Sequence, residues 1–421
     1  MSHTSNSMSP KPKPPLPSIL NTHDFETIAS QTLTPKTWAF YSSAATDMLT
    51  HASNKSMYDR ILLRPRILRN VTEVSTRTRI LGCETDLPLF VSPAAMATLV
   101  HPDGEIAIAR GCARFGVGQC ISTNASYSLP EITSSPPKTT TSSSAPFFLQ
   151  LYVHKSRAVS QKLLHLAHKS NIRAIFVTVD APVAGKREAD ERVPLDATDA
   201  RFFTPLPMSG AQIGSDDKGA GLGRTMGQYI DASLTWEDLR WLRSNTHLPI
   251  VLKGVQTAED AVLAVEAGVD GIVVSNHGGR GLDTSTSSVA VLMEIRRCCP
   301  QVFDKLEVFV DGGIRRGTDI IKAICLGAKA VGMGRAFLYS LCYGQEGVER
   351  LIESMFPVYV CCEGVLTNAV MKDELETTMR LLGITDLSQA HPGLLNTLDV
   401  DHLIPKQLGA SYGGAVVKAR L

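Results

Sequence analysis

Within nine residues, Ser275 to Asp283 (SNHGGRGLD), the chain places a hydroxyl, an amide, an imidazole, a guanidinium and a carboxylate. The imidazole of His277 can take up or release a proton. The guanidinium of Arg280 can fix a carboxylate through two parallel hydrogen bonds. Gly278, Gly279 and Gly281 let the backbone turn left-handed and pass close to a ligand. A lone histidine in such a turn is more often structural. His277 and Arg280 together, directly after an apolar run, point to proton transfer on a small molecule that carries a carboxylate.

That apolar run, Gly271 to Ser275 (GIVVS), has no polar alternation and reads as a strand buried on both faces. Seven more such runs recur along the chain: 88–93, 118–122, 146–152, 173–180, 248–254, 307–313 and 330–335. Helical patterns follow several of them, near 104–115, 156–170, 257–267, 289–299 and 318–326. Eight short buried strands alternating with helices predict an α/β fold, a (β/α)8 TIM barrel. Two short helices, within 21–50, precede it, and a loop of about forty residues (189–229) follows the fourth strand. A loop that long is usually a lid or a disordered segment. Its Gly219-Ala-Gly-Leu-Gly is not a dinucleotide fingerprint, because no strand precedes it. Residues 1–17 read as a disordered Pro/Ser-rich tail, 18–390 as the barrel domain and 391–421 as a C-terminal tail. Residues 134–145 form a low-complexity insertion. Residues 355–370 interrupt what otherwise reads as one amphipathic helix, either as a real loop or as untranslated sequence read as coding.

A parallel barrel presents its ligand site at the C-terminal ends of its strands. Those ends carry Pro93, Ala94 and Ala95; Ser122 and Asn124; Gln150 and Tyr152; Thr178 and Asp180, with Arg187 just beyond. They continue with Lys253; Ser275, His277 and Arg280; Asp311, Gly312, Gly313 and Arg315; and Gly334 and Arg335. The last two groups resemble a barrel phosphate site, although Gly312-Gly313 alone could be a plain turn. Lys253 reads either as a charge reaching the rim or as a fixed cation beside a cofactor that becomes anionic on reduction. Asp180 reads either as a helix cap or as the carboxylate that orients His277. Arg187 and Arg280 could neutralise one small carboxylate between them.

Composition narrows the rest. A net charge of +1 gives no basic surface for nucleic acid, and no apolar run approaches the roughly 20 residues of a membrane span. Nine cysteines occur without CxxC spacing, with two adjacent pairs, Cys298-Cys299 and Cys361-Cys362. That is neither a zinc site nor a disulfide framework, and no metal-ligand cluster is expected. Cys112, Cys120 and Cys325 lie in apolar runs and read as reduced core residues.

The motifs SNHGGRGLD (275–283), FVSPAAM (90–96), QLY (150–152), TVD (178–180), LKG (252–254), DGGIRRGTD (311–319) and GMGR (332–335) resemble those of the FMN-dependent 2-hydroxy acid oxidases and dehydrogenases. The resemblance covers about residues 21–350 and resumes at 371–384. It implies that His277 is the base, that Asp180 stabilises its protonated form, and that Tyr152 bonds near the substrate oxygen. It implies that Arg187 and Arg280 hold the substrate carboxylate. For FMN it implies backbone contacts from Ala94 and Ala95 and hydrogen bonds from Ser122, Gln150, Thr178 and Ser275. Lys253 would stabilise the reduced ring, and Asp311, Gly312, Gly313, Arg315, Gly334 and Arg335 would hold the ribityl chain and phosphate.

Two departures touch substrate binding. Phe40 stands where the family carries the tyrosine that helps bind the carboxylate, and Asn124 stands where glycolate oxidases carry a large aromatic residue. The implied reaction is oxidation of a small L-2-hydroxy acid, with oxygen as acceptor and hydrogen peroxide as product. The alternatives are a dehydrogenase with another acceptor and a non-catalytic flavin-binding barrel. The family usually forms homotetramers. Ala419-Arg420-Leu421 is a variant of a peroxisomal address, which suggests a peroxisomal location, with the cytoplasm as the alternative.

Overall fold

Runs of β-branched and aromatic residues form eight parallel strands that close on themselves. They are β1 (Leu89–Val91), β2 (Gly118–Ile121), β3 (Phe147–Leu151), β4 (Ile172–Thr178), β5 (Ile250–Val255), β6 (Gly271–Val274), β7 (Glu307–Asp311) and β8 (Ala330–Met333). Each pairs with its neighbours in sequence, and β8 closes the ring on β1 with Val331 opposite Leu89. All eight expected strands are present, to within two residues at their starts. The computed structural model describes residues 12–137, 145–211, 221–352 and 371–408. Segment 355–370, the Cys361-Cys362 pair, the terminal Ala419–Leu421, residues 1–11 of the tail and most of 134–145 and 212–220 lie outside those residues.

The interior of the barrel is filled by rings rather than open. Phe90, Phe148, Phe176 and Phe309 point inward from β1, β3, β4 and β7 and are buried. Their centroids lie 5.2–6.4 Å apart, several edge to face, the arrangement aromatic quadrupoles favour. A hairpin, Thr78–Ile80 with Cys83–Thr85, turns at Leu81-Gly82, where both φ angles are positive. It brings buried Ile80 under the rings at the N-terminal end of the barrel, and Glu307 at the start of β7 accepts from the Leu81 N–H. The sequence reading did not foresee this plug.

The N-terminal helices are α1 (Thr22–Thr32), α2 (Pro35–Ser42) and a third, α3 (Leu49–Arg60), which the sequence reading took as the end of a helical stretch running into irregular chain. Weak amphipathicity explains that difference, because α3 depends on a partner loop for its start. Residues 391–408, set apart by the sequence as a tail, begin by packing on the barrel. Leu395 and Asn396 pair with Leu62 and Leu63, Leu394, Val400 and Ile404 are buried, and Asp401 pairs with Arg297. Cys112, Cys120 and Cys325 are buried and unpaired. Among the described residues no helix is long and apolar enough to cross a membrane.

Phe176 touches three of the other rings. Phe176→Ala should lower the unfolding free energy by about 3–5 kcal/mol, read as an earlier midpoint in urea.

Candidate active site

At the C-terminal ends of the strands the barrel opens into one cavity. It is lined by 18 of the 20 residues singled out above. The exceptions, Asp180 and Ser275, lie one layer behind it. Asp180 backs His277, with Nδ1 of the ring 2.8 Å from Oδ1 of the carboxylate. That contact leaves Nε2 of His277 facing the cavity, 3.4 Å from the Tyr152 hydroxyl. Burial by itself would raise the Asp180 carboxyl, but His277 and Lys253 outweigh it, and the group is held below the ordinary carboxylate range. An ionised carboxylate on Nδ1 fixes one tautomer and stabilises the ring when Nε2 takes a proton.

His277 itself has a left-handed backbone, φ +56°, which costs a non-glycine residue about 1–3 kcal/mol. The surrounding loop holds it there. Asn276 accepts from the Gly279 N–H at 3.1 Å and exchanges two hydrogen bonds with Asn54 of α3 at 2.8 and 2.9 Å. Ser275 receives the His277 N–H at 3.1 Å and the ammonium of Lys253 at 3.0 Å. Lys253 also lies 3.4 Å from Asp311. Burial would lower its pKa, but Asp311 and Asp180 reverse the sign and keep it charged. Ser92 donates to the same Asp311 oxygen.

The arginines are held by backbone. The last turn of α2 leaves carbonyls without intrahelical partners, and cations near a helix C-terminus are favourable. Arg280 donates to the carbonyls of Phe40, Tyr41 and Ser43 at 2.8–3.1 Å. Arg335 donates to Tyr41, Ser43 and Gly278, and its Nη1 contacts Nδ1 of His51 at 2.8 Å. Expected at a phosphate, Arg335 thus directs most of its donors into protein while still lining the cavity. Arg187 lies over Gly223 of the long loop, where a Cβ would sit 1.7 Å from its guanidinium. A buried Lys36–Asp190 pair, 2.8 Å, fastens that loop to α2. The Phe40 ring lies between Arg280 and Arg187, with its centre 5.2 and 5.8 Å from the two guanidinium carbons.

Burial and mutual repulsion push these groups the same way. Arg280 is held well below its ordinary pKa, first by burial and then by Arg187 and Arg335. Arg187 and Arg335 are lowered mainly by burial. A pocket whose guanidiniums repel one another is prepared for an anion. Around Gly312 and Gly313 a second polar region opens. Gly313 has φ +89°, and a Cβ there would meet the Asn54 carbonyl at 2.1 Å. Nε of Arg315 and Oδ1 of Asp311 are buried without partners.

Sequence reasoning missed several residues here. His51 and Lys55 of α3 line the cavity beside Arg335 and Arg315. Burial, then Arg335 and Lys55, lower the His51 pKa to about 3, so it stays neutral and can accept from Arg335. No signal marked either residue, because α3 itself was not foreseen. Tyr229 of the long loop also enters, through Asn124.

The last residue of the opening motif is not part of the cavity lining. Asp283 accepts from Thr46 Oγ1 and from the N–H groups of Asp47, Leu49 and Thr50 at 2.8–3.3 Å, so it caps α3 from another element. Burial would raise its pKa; these hydrogen bonds outweigh burial and bring it to about 2. Unfolded, the group titrates near ~3.9. Its contribution to stability is therefore full above about pH 4 and is lost as pH falls toward 2. Asp283→Asn should cost about 1.5–3 kcal/mol at neutral pH. In denaturation measured across pH, the gap to the parent should close below pH 4.

Among known proteins, a family model described as FMN-dependent dehydrogenase matches residues 29–357. The chain is 44% identical over 389 residues to an L-lactate dehydrogenase (cytochrome) of Saccharomyces cerevisiae, covering 91% of this chain and 61% of that one. The chain thus spans about three fifths of that relative's length. It is 38% identical over 381 residues to the glycolate oxidase of Spinacia oleracea, covering 89% of this chain and 95% of that one. The recombinant flavin-binding domain of baker's yeast flavocytochrome b2 superposes with a TM-score of 0.77 at 41% identity, over 97% of this chain and 94% of that one. The chain belongs to the FMN-dependent dehydrogenase family.

Proposed function

We propose that this chain oxidises a small L-2-hydroxy acid to the 2-oxo acid and passes the electrons to oxygen, giving hydrogen peroxide. The observation that carries the reading is His277 with Nε2 facing the cavity beside the Tyr152 hydroxyl and Nδ1 held on ionised Asp180, in a cavity lined by two half-buried guanidiniums.

The residues fit FMN. Arg315 Nε and Asp311 Oδ1 are buried and unmatched, and Lys253 stays cationic against the cavity floor. Arg315, with Lys55 nearby, would hold the phosphate. Gln150, Thr178 and Ser122, already linked by hydrogen bonds, would meet the ring and ribityl chain. When bound, FMN supplies a two-electron acceptor beside the substrate carbon. The chain's own residues do the rest. Arg280 and Arg187 bind the carboxylate and orient the substrate. His277 takes one of the two protons the substrate sheds, at Nε2, and Asp180 stabilises the resulting cation. Tyr152 hydrogen-bonds at the substrate oxygen, and Lys253 offsets negative charge that develops on the cofactor side.

Oxygen as acceptor is supported by the glycolate oxidase relative. Hydrogen peroxide, a peroxisomal location and a homo-oligomer follow as expectations of the same reading. The higher identity to the yeast cytochrome enzyme favours a second reading, in which another acceptor takes the electrons.

One experiment tests both. The yellow protein is mixed without air with L-lactate, glycolate and longer L-2-hydroxy acids, and air is then admitted. Bleaching with fast recovery and peroxide release is expected; slow recovery would establish the second reading, and no bleaching with any acid would overturn both. His277→Asn should still bind 2-oxo acids yet bleach at least 10²-fold more slowly. Phe40→Tyr should restore a donor between the two arginines and lower KM by about 1.5 kcal/mol, roughly tenfold.

A further inference from the structure

One wall of the cavity is polar in a way the proposed reaction does not use. Asn124 lies three residues beyond the end of β2 and is buried, yet its side chain lines the cavity. Its backbone is fixed at both ends: its N–H donates to Ser122 Oγ at 3.1 Å, and its carbonyl accepts from Met96 at 3.0 Å. Its amide oxygen accepts from the Tyr229 hydroxyl at 3.0 Å. Ser209 lies beside Tyr229, and its hydroxyl oxygen accepts the Ala211 N–H at 3.2 Å. The ring of Tyr229 is clamped between His154, stacked at 5.2 Å, and the edge of Tyr152 at 6.5 Å. A phenol has one proton to donate, and here it goes to Asn124 Oδ1. The amide is thereby oriented with Nδ2 outward. That nitrogen has no partner among the described residues and is not sealed from the cavity.

A fixed donor that opens on the cavity favours a ligand that meets it over one that covers it with an apolar group. Tyr152 links this donor to the reacting end, since its hydroxyl faces His277. Arg187 and Arg280 flank Phe40 and serve the substrate's own carboxylate, so Asn124 adds no charge to offset a second one. A buried anion without a partner is unfavourable. An uncharged acceptor is what the wall fits.

We infer that Asn124, held by Tyr229, recognises an uncharged hydrogen-bond acceptor on the substrate side chain, so that the preferred 2-hydroxy acid carries a hydroxyl or amide there rather than a methyl group. This rests on the proposed 2-hydroxy acid oxidation. Asn124 is the specificity determinant, and Tyr229 is a positioning residue that acts through it.

The test uses the FMN-loaded full chain and two acids of equal length, (S)-2,4-dihydroxybutanoate and (S)-2-hydroxypentanoate, with glycolate as reference. The expected wild-type preference for the dihydroxy acid in kcat/KM is about tenfold, the effect of one hydrogen bond. Asn124→Leu, similar in volume, should abolish or reverse it. Tyr229→Phe frees the amide to rotate and should reduce the preference through KM of the dihydroxy acid alone, leaving its kcat in place. Dissociation constants of the two matching 2-oxo acids, read from flavin absorbance, should follow the same order. Equal use of both acids by the wild type, or a preference that survives Asn124→Leu, would overturn the inference while leaving the oxidation intact. Failure of glycolate and both acids to bleach the flavin would overturn the functional reading and this inference with it.

Discussion

Arg280 and Arg335 donate to the same few carbonyls at the end of α2, and most of the site depends on that contact. Buried guanidiniums are expensive unless every donor finds an oxygen, and a helix C-terminus offers several oxygens with a favourable dipole. The contact docks the N-terminal helices over the barrel mouth and brings Phe40 into the cavity. It also aims Arg280 where a carboxylate can reach it. The residual repulsion among Arg187, Arg280 and Arg335 is what an anionic ligand would relieve.

The barrel divides its work between two ends. At the N-terminal end four phenylalanines and the Thr78–Thr85 hairpin exclude water and give rigidity. At the other end the strands stop on polar residues, and the cavity is a web of hydrogen bonds. The web has layers: Asp180 stands behind His277, and Ser275 and Asp311 stand behind Lys253. Each residue behind settles the charge or orientation of the one in front. The left-handed backbone of His277 persists because Asn276, Asn54 and Ser275 hold the loop from three directions.

Phe40 changes the balance without dismantling it. Its ring keeps both arginines in place through cation–π contact, but it offers the substrate no hydroxyl. Polar recognition shifts across the cavity to Asn124, where the wall is set by Tyr229 of the long loop. Pocket shape and pocket chemistry therefore come from segments outside the repeating barrel unit, as is usual where a rigid scaffold carries variable loops.

The sequence by itself determined the barrel, its eight strands and nearly every side chain at the strand ends. Strand identity follows from short apolar runs, and position along the strand decides which residues face the mouth. It also marked Phe40 and Asn124 as departures. What only the tertiary structure decided comes from contacts distant in sequence. Helix α3 is capped by Asp283, more than two hundred residues away, so no local pattern announced it, and His51 and Lys55 stayed hidden with it. The contacts that hold Arg335 lie on α2, and the hairpin plug and the packed 391–408 segment depend on neighbours that no periodicity reveals. Orientation is the other tertiary decision. The Asn124 amide presents a donor because Tyr229 occupies its oxygen, and a residue type alone does not say which way it faces.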